Sequence, residues 1–214
     1  MTIAPRRRVL TVLLAALLSL PGWLAPSFAQ ANPDDRAVAA QLLKAMSDAS
    51  FIPDGTGDQI VYFFFDPNCP YCHRVYDRIQ KIRADFPGLQ FRWVPLGMLS
   101  GTSKTKAAAI IQAPDPLAAF HQSESNFGFL DSDTGGGIAP AHVVEPATQT
   151  ILDENLSILQ GANLYGIPVV VFQADDGKAF YFSGERTEAQ LREIFAHVAK
   201  GSFAGGTAIT GHTP

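Results

Sequence analysis

QIVYFFFDPNCPYC, residues 59–72, is the stretch that decides the fold. Gln59 to Phe65 form an apolar, β-branched and aromatic run without alternation, the pattern of a central strand buried on both faces. Asp66-Pro67-Asn68 then ends the strand. Pro70 follows at the first or second position of a helix, where its missing N–H costs nothing. The stretch therefore predicts a buried strand that leads into a helix, with Cys69 where the two meet.

Helices and strands alternate downstream of this stretch. Apolar side chains recur every three or four residues from Val75 to Phe86, which predicts an amphipathic helix. Leu89 to Leu96 is dense in apolar residues and is predicted as the next strand. After a long helical pattern, Ile167 to Gln173 and Ala179 to Ser183 are predicted as the strands of a β-hairpin. Thr187 to Gln190 has the form of a capping box and begins the last helix.

This order is a β-α-β unit, a helical block, a β-hairpin and a closing helix, which is the thioredoxin core with a helical insertion. We predict an α/β, thioredoxin-like catalytic domain over residues 59–200, with the insertion at about 103–165. Residues 30–58 are predicted as a short linker helix and a turn, the turn running from Pro53 to Gly57. Residues 201–214, rich in Gly and Thr, are predicted to be a disordered tail.

The N-terminus has the features of an export signal. Arg6 to Arg8 precede an apolar run from Val9 to Leu20, and Ser27-Phe28-Ala29 offers the small residues that a signal peptidase reads. The apolar run is shorter than the stretch of about 20 residues that spans a membrane. We therefore expect a signal peptide over residues 1–29, cleaved after Ala29, and a mature protein in the periplasm.

The composition is that of one globular domain. The chain has 214 residues, of which 47% are hydrophobic and 17% charged, and its formal net charge is −4 at pH 7. This balance provides no basic surface for nucleic acid. Outside the N-terminus, no segment is long and apolar enough to anchor the chain in a membrane. We therefore expect no nucleic-acid partner and no stable membrane anchor.

The chain has two cysteines, Cys69 and Cys72. A disulfide between them would close a loop too short to stabilise the fold much, so in an oxidising compartment they are a candidate redox pair. At a helix N-terminus, unpaired N–H groups and the helix dipole favour a thiolate. We predict that Cys69 attacks and Cys72 resolves the mixed disulfide, with Pro70 and Tyr71 completing the active-site loop. We expect no metal and no cofactor beyond the Cys69–Cys72 disulfide.

The same residues leave other chemistries open. With His73, the motif matches the Cys-x-x-Cys-His pattern of covalent haem attachment, although a buried strand precedes it here. A zinc site would need about four ligands, and the chain has no second cysteine pair. Its five histidines are scattered and are interpreted as solvated residues. Copper handling would favour a methionine cluster, which the three methionines do not form.

A proline begins the first strand of the predicted hairpin, in the segment Gly166-Ile167-Pro168-Val169. Proline is also tolerated at an ordinary strand edge. In thioredoxin-like folds, however, this position holds a cis-proline that faces the active-site disulfide. The exposed backbone beside such a proline can pair with a substrate strand, so we expect Ile167 and Pro168 to bind substrate.

The segment VYFFFDPNCPYCH, residues 61–73, resembles the active site of the DsbC/DsbG family of thiol:disulfide interchange proteins, and DsbG more closely than DsbC. The likeness covers roughly residues 54–200. It continues through four further motifs, namely Val94–Gly97, Lys106–Ile111, Asp115–Pro116 and Gly161–Pro168. The resemblance implies a thioredoxin catalytic domain with a helical insertion and a cis-proline at Pro168.

Three features depart from the family's pattern. Family members have an N-terminal dimerisation domain, whereas only residues 30–59 separate the predicted cleavage site from the core, so we expect a monomer. The family usually has Thr before the cis-proline, where this chain has Ile167. Thioredoxins place a proton-transferring acid six residues before the first cysteine. Here that residue is Phe63, and Asp66, the nearest acid, is better interpreted as a turn residue.

The sequence thus predicts a periplasmic thiol–disulfide oxidoreductase, a DsbG-like reductase or isomerase. Its expected partners are exported proteins with cysteines or disulfides, and an unidentified redox partner that recycles the site. Two alternatives stay open: a non-catalytic chaperone or assembly factor on a thioredoxin scaffold, and a haem or copper carrier. The sequence does not fix the direction of electron flow, because tens of millivolts decide it.

Overall fold

The computed structural model describes residues 33–128 and 135–211. The predicted signal peptide, with its cleavage after Ala29, lies outside these residues, as do residues 212–214 of the predicted tail. The α-helices are α1 (Pro33–Ala45), α2 (Pro70–Ile82), α3 (Ser103–Ile111), α4 (Pro116–Ser125), α5 (Pro146–Gly161) and α6 (Glu188–Phe195). The strands are β1 (Ser50–Asp54), β2 (Gln59–Phe65), β3 (Leu89–Pro95), β4 (Val169–Gln173), β5 (Ala179–Ser183) and β6 (Thr207–Ala208). Within the two described ranges, no helix is both long and apolar enough to cross a bilayer.

A mixed sheet forms the centre of the domain, in the order β5-β4-β2-β3-β1-β6. Strand β2 is parallel to β3 and antiparallel to β4, so Phe63 has Trp93 on one side and Val170 on the other. Six of the seven residues of β2 are buried, which explains why its sequence does not alternate. The strands predicted at Gln59–Phe65 and Ala179–Ser183 are confirmed residue for residue.

The predicted helical block is present as α3, α4 and α5, between β3 and β4. Phe120 of α4 packs against both Phe65 and Trp93, with ring centroids 4.7 Å apart in each pair. Asn155 of α5 donates hydrogen bonds to main-chain oxygens of β1 and β3, at 2.9 and 3.0 Å. Because Phe65 is the last residue of β2, this packing places the insertion beside the turn that carries the cysteines. The α/β, thioredoxin-like fold with a helical insertion is confirmed.

Strand β1 was not expected, and the predicted turn is wrong at its first two residues. Pro53 and Asp54 belong to β1, which pairs antiparallel with β3. Strand β6 pairs only with the first two residues of β1, so Pro53 lies on an open edge, where a missing N–H is tolerated. Asp54 is 5% exposed and accepts hydrogen bonds from Arg83 and from Nε1 of Trp93. These long-range contacts override the local turn signal.

The predicted disorder of residues 201–214 is wrong over residues 201–211, which pack against the sheet. Strand β6 extends the sheet by pairing parallel with β1. The hydroxyl of Tyr62, in the middle of β2, donates to the carbonyl oxygen of Gly205 over 2.7 Å. Gly206 has φ +93°, and a side chain there would lie 2.6 Å from a backbone oxygen, so this turn requires glycine. The tail thus supplies a hydrogen-bond acceptor for the hydroxyl of Tyr62, a buried residue of the sheet.

Candidate active site

Cys69 lies in the turn that joins β2 to α2. It is the N-cap residue of α2, and its sulfur accepts a hydrogen bond from the N–H of Cys72 over 3.1 Å. Its own N–H donates to the carbonyl oxygen of Asp66 over 2.9 Å. Pro70 follows as the first residue of the helix. An amide N–H and the positive end of the helix dipole thus face the Cys69 sulfur, where both interact favourably with negative charge.

Cys72 lies one turn further along α2, and both cysteines are buried, with Cys69 2% and Cys72 1% exposed. Burial raises the pKa of the Cys72 thiol well above its ordinary value, and the neighbouring Cys69 sulfur raises it further. A backbone hydrogen bond from Asp66 acts in the opposite direction but does not outweigh burial. The two sulfurs therefore have different environments: Cys69 receives a hydrogen bond, whereas Cys72 is held in the protonated form.

Ile167 and Pro168 lie opposite Cys69. The peptide bond between them is cis, and the carbonyl oxygen of Ile167 lies 4.0 Å from the Cys69 sulfur. Strand β4 begins only at Val169, so these two residues precede the paired part of the strand. The carbonyl oxygen of Pro168 accepts a hydrogen bond from the N–H of Gly184 over 2.8 Å, which fixes the segment to the end of β5. The structure thus brings the predicted site residues together, and their role in substrate binding stays a prediction.

Three large apolar side chains near the cysteines in the sequence or the fold are exposed. Tyr71, between the two cysteines, is 52% exposed, and the guanidinium of Arg74 lies 4.6 Å from its ring centre. Tyr165, two residues before Ile167, is 68% exposed. Leu99, whose N–H is bound by the Asp66 carboxylate, is 47% exposed. Isolated exposed hydrophobics are common, but several around one thiol favour contact with another protein segment.

Asp66 is fully buried and holds the turn before α2 in place. Its carboxylate accepts four hydrogen bonds of 2.7–3.1 Å, from the N–H groups of Asn68, Met98 and Leu99 and from the hydroxyl of Ser103. The geometry favours its interpretation as a turn residue. Through its hydrogen bonds with Met98 and Leu99, Asp66 also connects the loop after β3 to the turn that carries Cys69. With both oxygens engaged, Asp66 is poorly placed to accept a proton from Cys72.

Sequence reasoning misses two buried ionisable residues near Cys72. Glu124, on α4 of the insertion, is 1% exposed, and its Oε2 lies 3.4 Å from Nδ1 of His73. His73 is itself buried, contrary to the expectation that the histidines are solvated, and its ring stacks on Phe127 with centroids 4.6 Å apart. One sequence signal was available for Glu124: it lies four residues after the buried Phe120, on the same helix face.

The remaining histidines are dispersed over the fold. His121 shares a hydrogen bond of 2.8 Å with the hydroxyl of Tyr76, and His197 lies 2.9 Å from the carboxylate of Asp175. His212 lies outside the described residues. Among the residues that the structure describes, no group of three or more His, Cys, Asp and Glu side chains is arranged to hold a metal ion.

Comparison with known proteins yields one family and several relatives. The family model for the thioredoxin-like domain matches residues 53–199. The thiol:disulfide interchange protein DsbG of Pseudomonas aeruginosa is 27% identical over 169 residues, which are 76% of this chain and 63% of that protein. DsbG of Escherichia coli is 30% identical over 127 residues, 58% of this chain and 49% of that protein. The chain thus spans less than two thirds of the length of these relatives.

Solved structures show the same fold. The catalytic domain of Proteus mirabilis ScsC has a TM-score of 0.56 and 22% sequence identity, and the match covers 75% of this chain and 96% of that one. A periplasmic thioredoxin-like protein from Salmonella enterica serovar Typhimurium has a TM-score of 0.55 and 16% identity, with 75% and 94% covered. At these identities the likeness extends to the fold alone.

Proposed function

The chain belongs to the thioredoxin-like domain family, and we propose that it is an exported, periplasmic thiol–disulfide oxidoreductase that works through Cys69 and Cys72. One observation carries the proposal: the N–H of Cys72 donates to the Cys69 sulfur over 3.1 Å at the start of α2. This contact stabilises negative charge on Cys69, the form in which a cysteine attacks a disulfide. Similarity to two DsbG proteins and the signal-like N-terminus support the activity and the location.

The reaction consists of two displacements at sulfur. The Cys69 thiolate attacks a substrate disulfide, forms a mixed disulfide and releases one substrate sulfur as a thiolate. Cys72 then loses its proton and attacks the Cys69 sulfur, which forms the Cys69–Cys72 disulfide and releases the second substrate thiolate. Two electrons pass to the substrate, and the reverse sequence oxidises a substrate dithiol. The cysteine pair itself carries the electrons, without a further cofactor.

Ile167 and Pro168 are proposed to hold the substrate chain beside Cys69. Support comes from the 4.0 Å distance between the Ile167 oxygen and the Cys69 sulfur, and from the position of both residues before the paired part of β4. An extended substrate segment could pair with this backbone as an added strand. The exposed rings of Tyr71 and Tyr165 offer further apolar contacts. The clients would be exported proteins with cysteines or disulfides, and a separate redox partner would recycle the site.

We place the activity on the reductase or isomerase side because of the similarity to the two DsbG proteins. Two assays distinguish these activities. Reduction of insulin disulfides measures the reductase, and recovery of active ribonuclease from its scrambled form, with no net change in oxidation state, measures the isomerase.

A trapping experiment tests the proposed function. The Cys72→Ser variant, expressed with the N-terminal signal, keeps the attacking sulfur but cannot resolve the mixed disulfide. We expect adducts on non-reducing gels that disappear with reductant, and none from the matched Cys69→Ser control. Absence of adducts, together with no insulin reduction by the wild type, would contradict the proposal. Full biological activity of a Cys69→Ala, Cys72→Ala double variant would favour the chaperone alternative.

A further inference from the structure

The resolving step needs a group that takes the proton of Cys72. Burial raises the pKa of this thiol, so its deprotonation by bulk water alone is unfavourable. Phe63, at the position where thioredoxins have an acid, is 1% exposed and packs on Trp93 with ring centroids 5.1 Å apart. Asp66 has both oxygens engaged in hydrogen bonds. Neither position supplies the base.

Resting on the function proposed above, we propose that Glu124 accepts the proton of Cys72 during resolution, and that His73 and Asp77 pass it to solvent. The base would thus come from the helical insertion and not from the strand that precedes the cysteines. This assignment gives the insertion a part in the chemistry.

The position of Glu124 supports this role. Its side chain is 1% exposed, and its Oε1 accepts no hydrogen bond from any residue that the structure describes. Oε2 faces Nδ1 of His73 at 3.4 Å, and His73 directly follows Cys72 in the first turn of α2. The negative charge of the Glu124 carboxylate also contributes to the raised pKa of the Cys72 thiol, so the two groups interact electrostatically. A buried carboxylate with unused acceptor capacity is unfavourable for stability, which indicates a functional reason for its presence.

A path to solvent continues from His73. Its Nε2 lies 3.3 Å from the carboxylate of Asp77, one helical turn further along α2. The side chain of Asp77 is 51% exposed, whereas that of His73 is 8% exposed. Stacking on Phe127 fixes the plane of the ring. An imidazole can take a proton at one nitrogen and release one from the other, so His73 is suited to connect the buried carboxylate with the exposed one.

The charges around Glu124 suit a base. Burial raises the pKa of its carboxyl, His73 opposes this rise, and Asp77 and Asp66 add to it. The facing groups therefore come from α2 and from the turn between β2 and α2. A carboxylate with a raised pKa is a stronger base, and its pKa is closer to that of the thiol it must deprotonate.

The step balances in atoms and electrons. The S–H bond of Cys72 breaks as an O–H bond forms on Glu124. The Cys72–Cys69 bond forms as the bond between Cys69 and the substrate sulfur breaks, and the leaving thiolate takes a proton from solvent. Glu124 then returns its proton through Nδ1 of His73, while Nε2 releases one toward Asp77 and water.

Stopped-flow reaction of the reduced mature protein with Ellman's reagent separates the two displacements. This aromatic disulfide releases one coloured thiolate when Cys69 attacks, and a second when Cys72 resolves the mixed disulfide. In Glu124→Gln we expect the second phase to slow by at least about tenfold near neutral pH, because the general base is lost. The first phase should stay within about twofold. The difference should shrink at high pH, where hydroxide removes the Cys72 proton.

Glu154→Gln, an exposed position on α5, is the matched control and should change neither phase. His73→Asn should also slow the second phase selectively, and this variant carries the test if Glu124→Gln does not fold. An unchanged second phase in a folded Glu124→Gln protein overturns the proposal, as does an equal loss in both phases at every pH, which would indicate a structural role. Absence of the first phase in the wild type would instead contradict the proposed function.

Discussion

The backbone N–H of Cys72 donates a hydrogen bond to the sulfur of Cys69 over 3.1 Å. The resolving residue thus stabilises charge on the attacking one, while the raised pKa of its own thiol keeps it protonated. This asymmetry follows from one turn of helix, because the first residue of the motif caps α2 and the fourth lies inside it.

Alkylation should distinguish the two thiols. We expect iodoacetamide to modify the two cysteines at different rates at neutral pH. Cys72, measured in the Cys69→Ser variant, should react at least about tenfold more slowly than Cys69, measured in the Cys72→Ser variant. The reason is that burial raises the pKa of Cys72, whereas the sulfur of Cys69 lies at the start of α2, where the helix dipole favours negative charge. Mass spectrometry of timed samples gives both rates. Equal rates would remove the basis for assigning the roles.

Asp66→Ala should destabilise the reduced protein by about 3 kcal/mol, because four hydrogen bonds are lost and the N–H groups of Met98 and Leu99 are left without their acceptor. Urea denaturation measures the change. Asp153→Ala, at an exposed position on α5, is the control and should stay within about 0.5 kcal/mol of the wild type. A similarly small effect at Asp66 would show that its hydrogen bonds are not needed to hold the turn.

Removal of residues 201–214 should lower the free energy of unfolding by about 3 kcal/mol. The deletion leaves the hydroxyl of Tyr62 and the guanidinium of Arg92 without the carbonyl oxygen of Gly205. It also removes the hydroxyl of Ser202 that accepts the N–H of Ile60. Urea denaturation compares this variant with one that lacks only residues 212–214. If the two are equally stable, the packing of the tail contributes nothing.

Glu124 should make stability depend on pH. Burial raises its pKa in the folded protein above the ordinary value of 4.5, so the folded state keeps a proton that the unfolded chain has already lost. The contribution of this group is therefore constant below 4.5 and becomes less favourable as the pH rises toward the folded pKa. The free energy of unfolding of Glu124→Gln, relative to that of the wild type, should therefore increase between about pH 4 and pH 7. Urea denaturation across this range measures it, and an advantage that does not change with pH would be inconsistent with a raised pKa.

The strand–cysteine–helix segment could be predicted because its signals are local. The apolar run of β2 and the proline after Cys69 each restrict the backbone without help from distant residues. Strand β1 could not be predicted, since Pro53 and Asp54 favour a turn locally. The pairing with β3 and the contacts of Asp54 with Arg83 and Trp93 reverse that preference.

Glu124 and the tail escaped prediction for the same physical reason. Whether a glutamate in an amphipathic helix is buried depends on how α4 approaches α2, and local periodicity does not describe that approach. The Gly- and Thr-rich tail has a composition typical of disorder. It is nevertheless ordered, because groups that are distant in sequence, such as the hydroxyl of Tyr62, form hydrogen bonds with it.

The central claim is that Cys69 and Cys72 form a reversible redox couple in which Cys69 is the attacking sulfur. The most direct test equilibrates the mature protein in glutathione buffers with increasing ratios of oxidised to reduced glutathione. The intact mass of the protein is then measured after acid quenching. We expect the wild type to lose two hydrogens in one transition, without bound glutathione at equilibrium. Cys72→Ser should accumulate one glutathione on Cys69, and Cys69→Ser should react far more slowly. A wild type that keeps both thiols across all buffers, or a Cys69→Ser variant that takes up glutathione as fast as Cys72→Ser, would contradict the account.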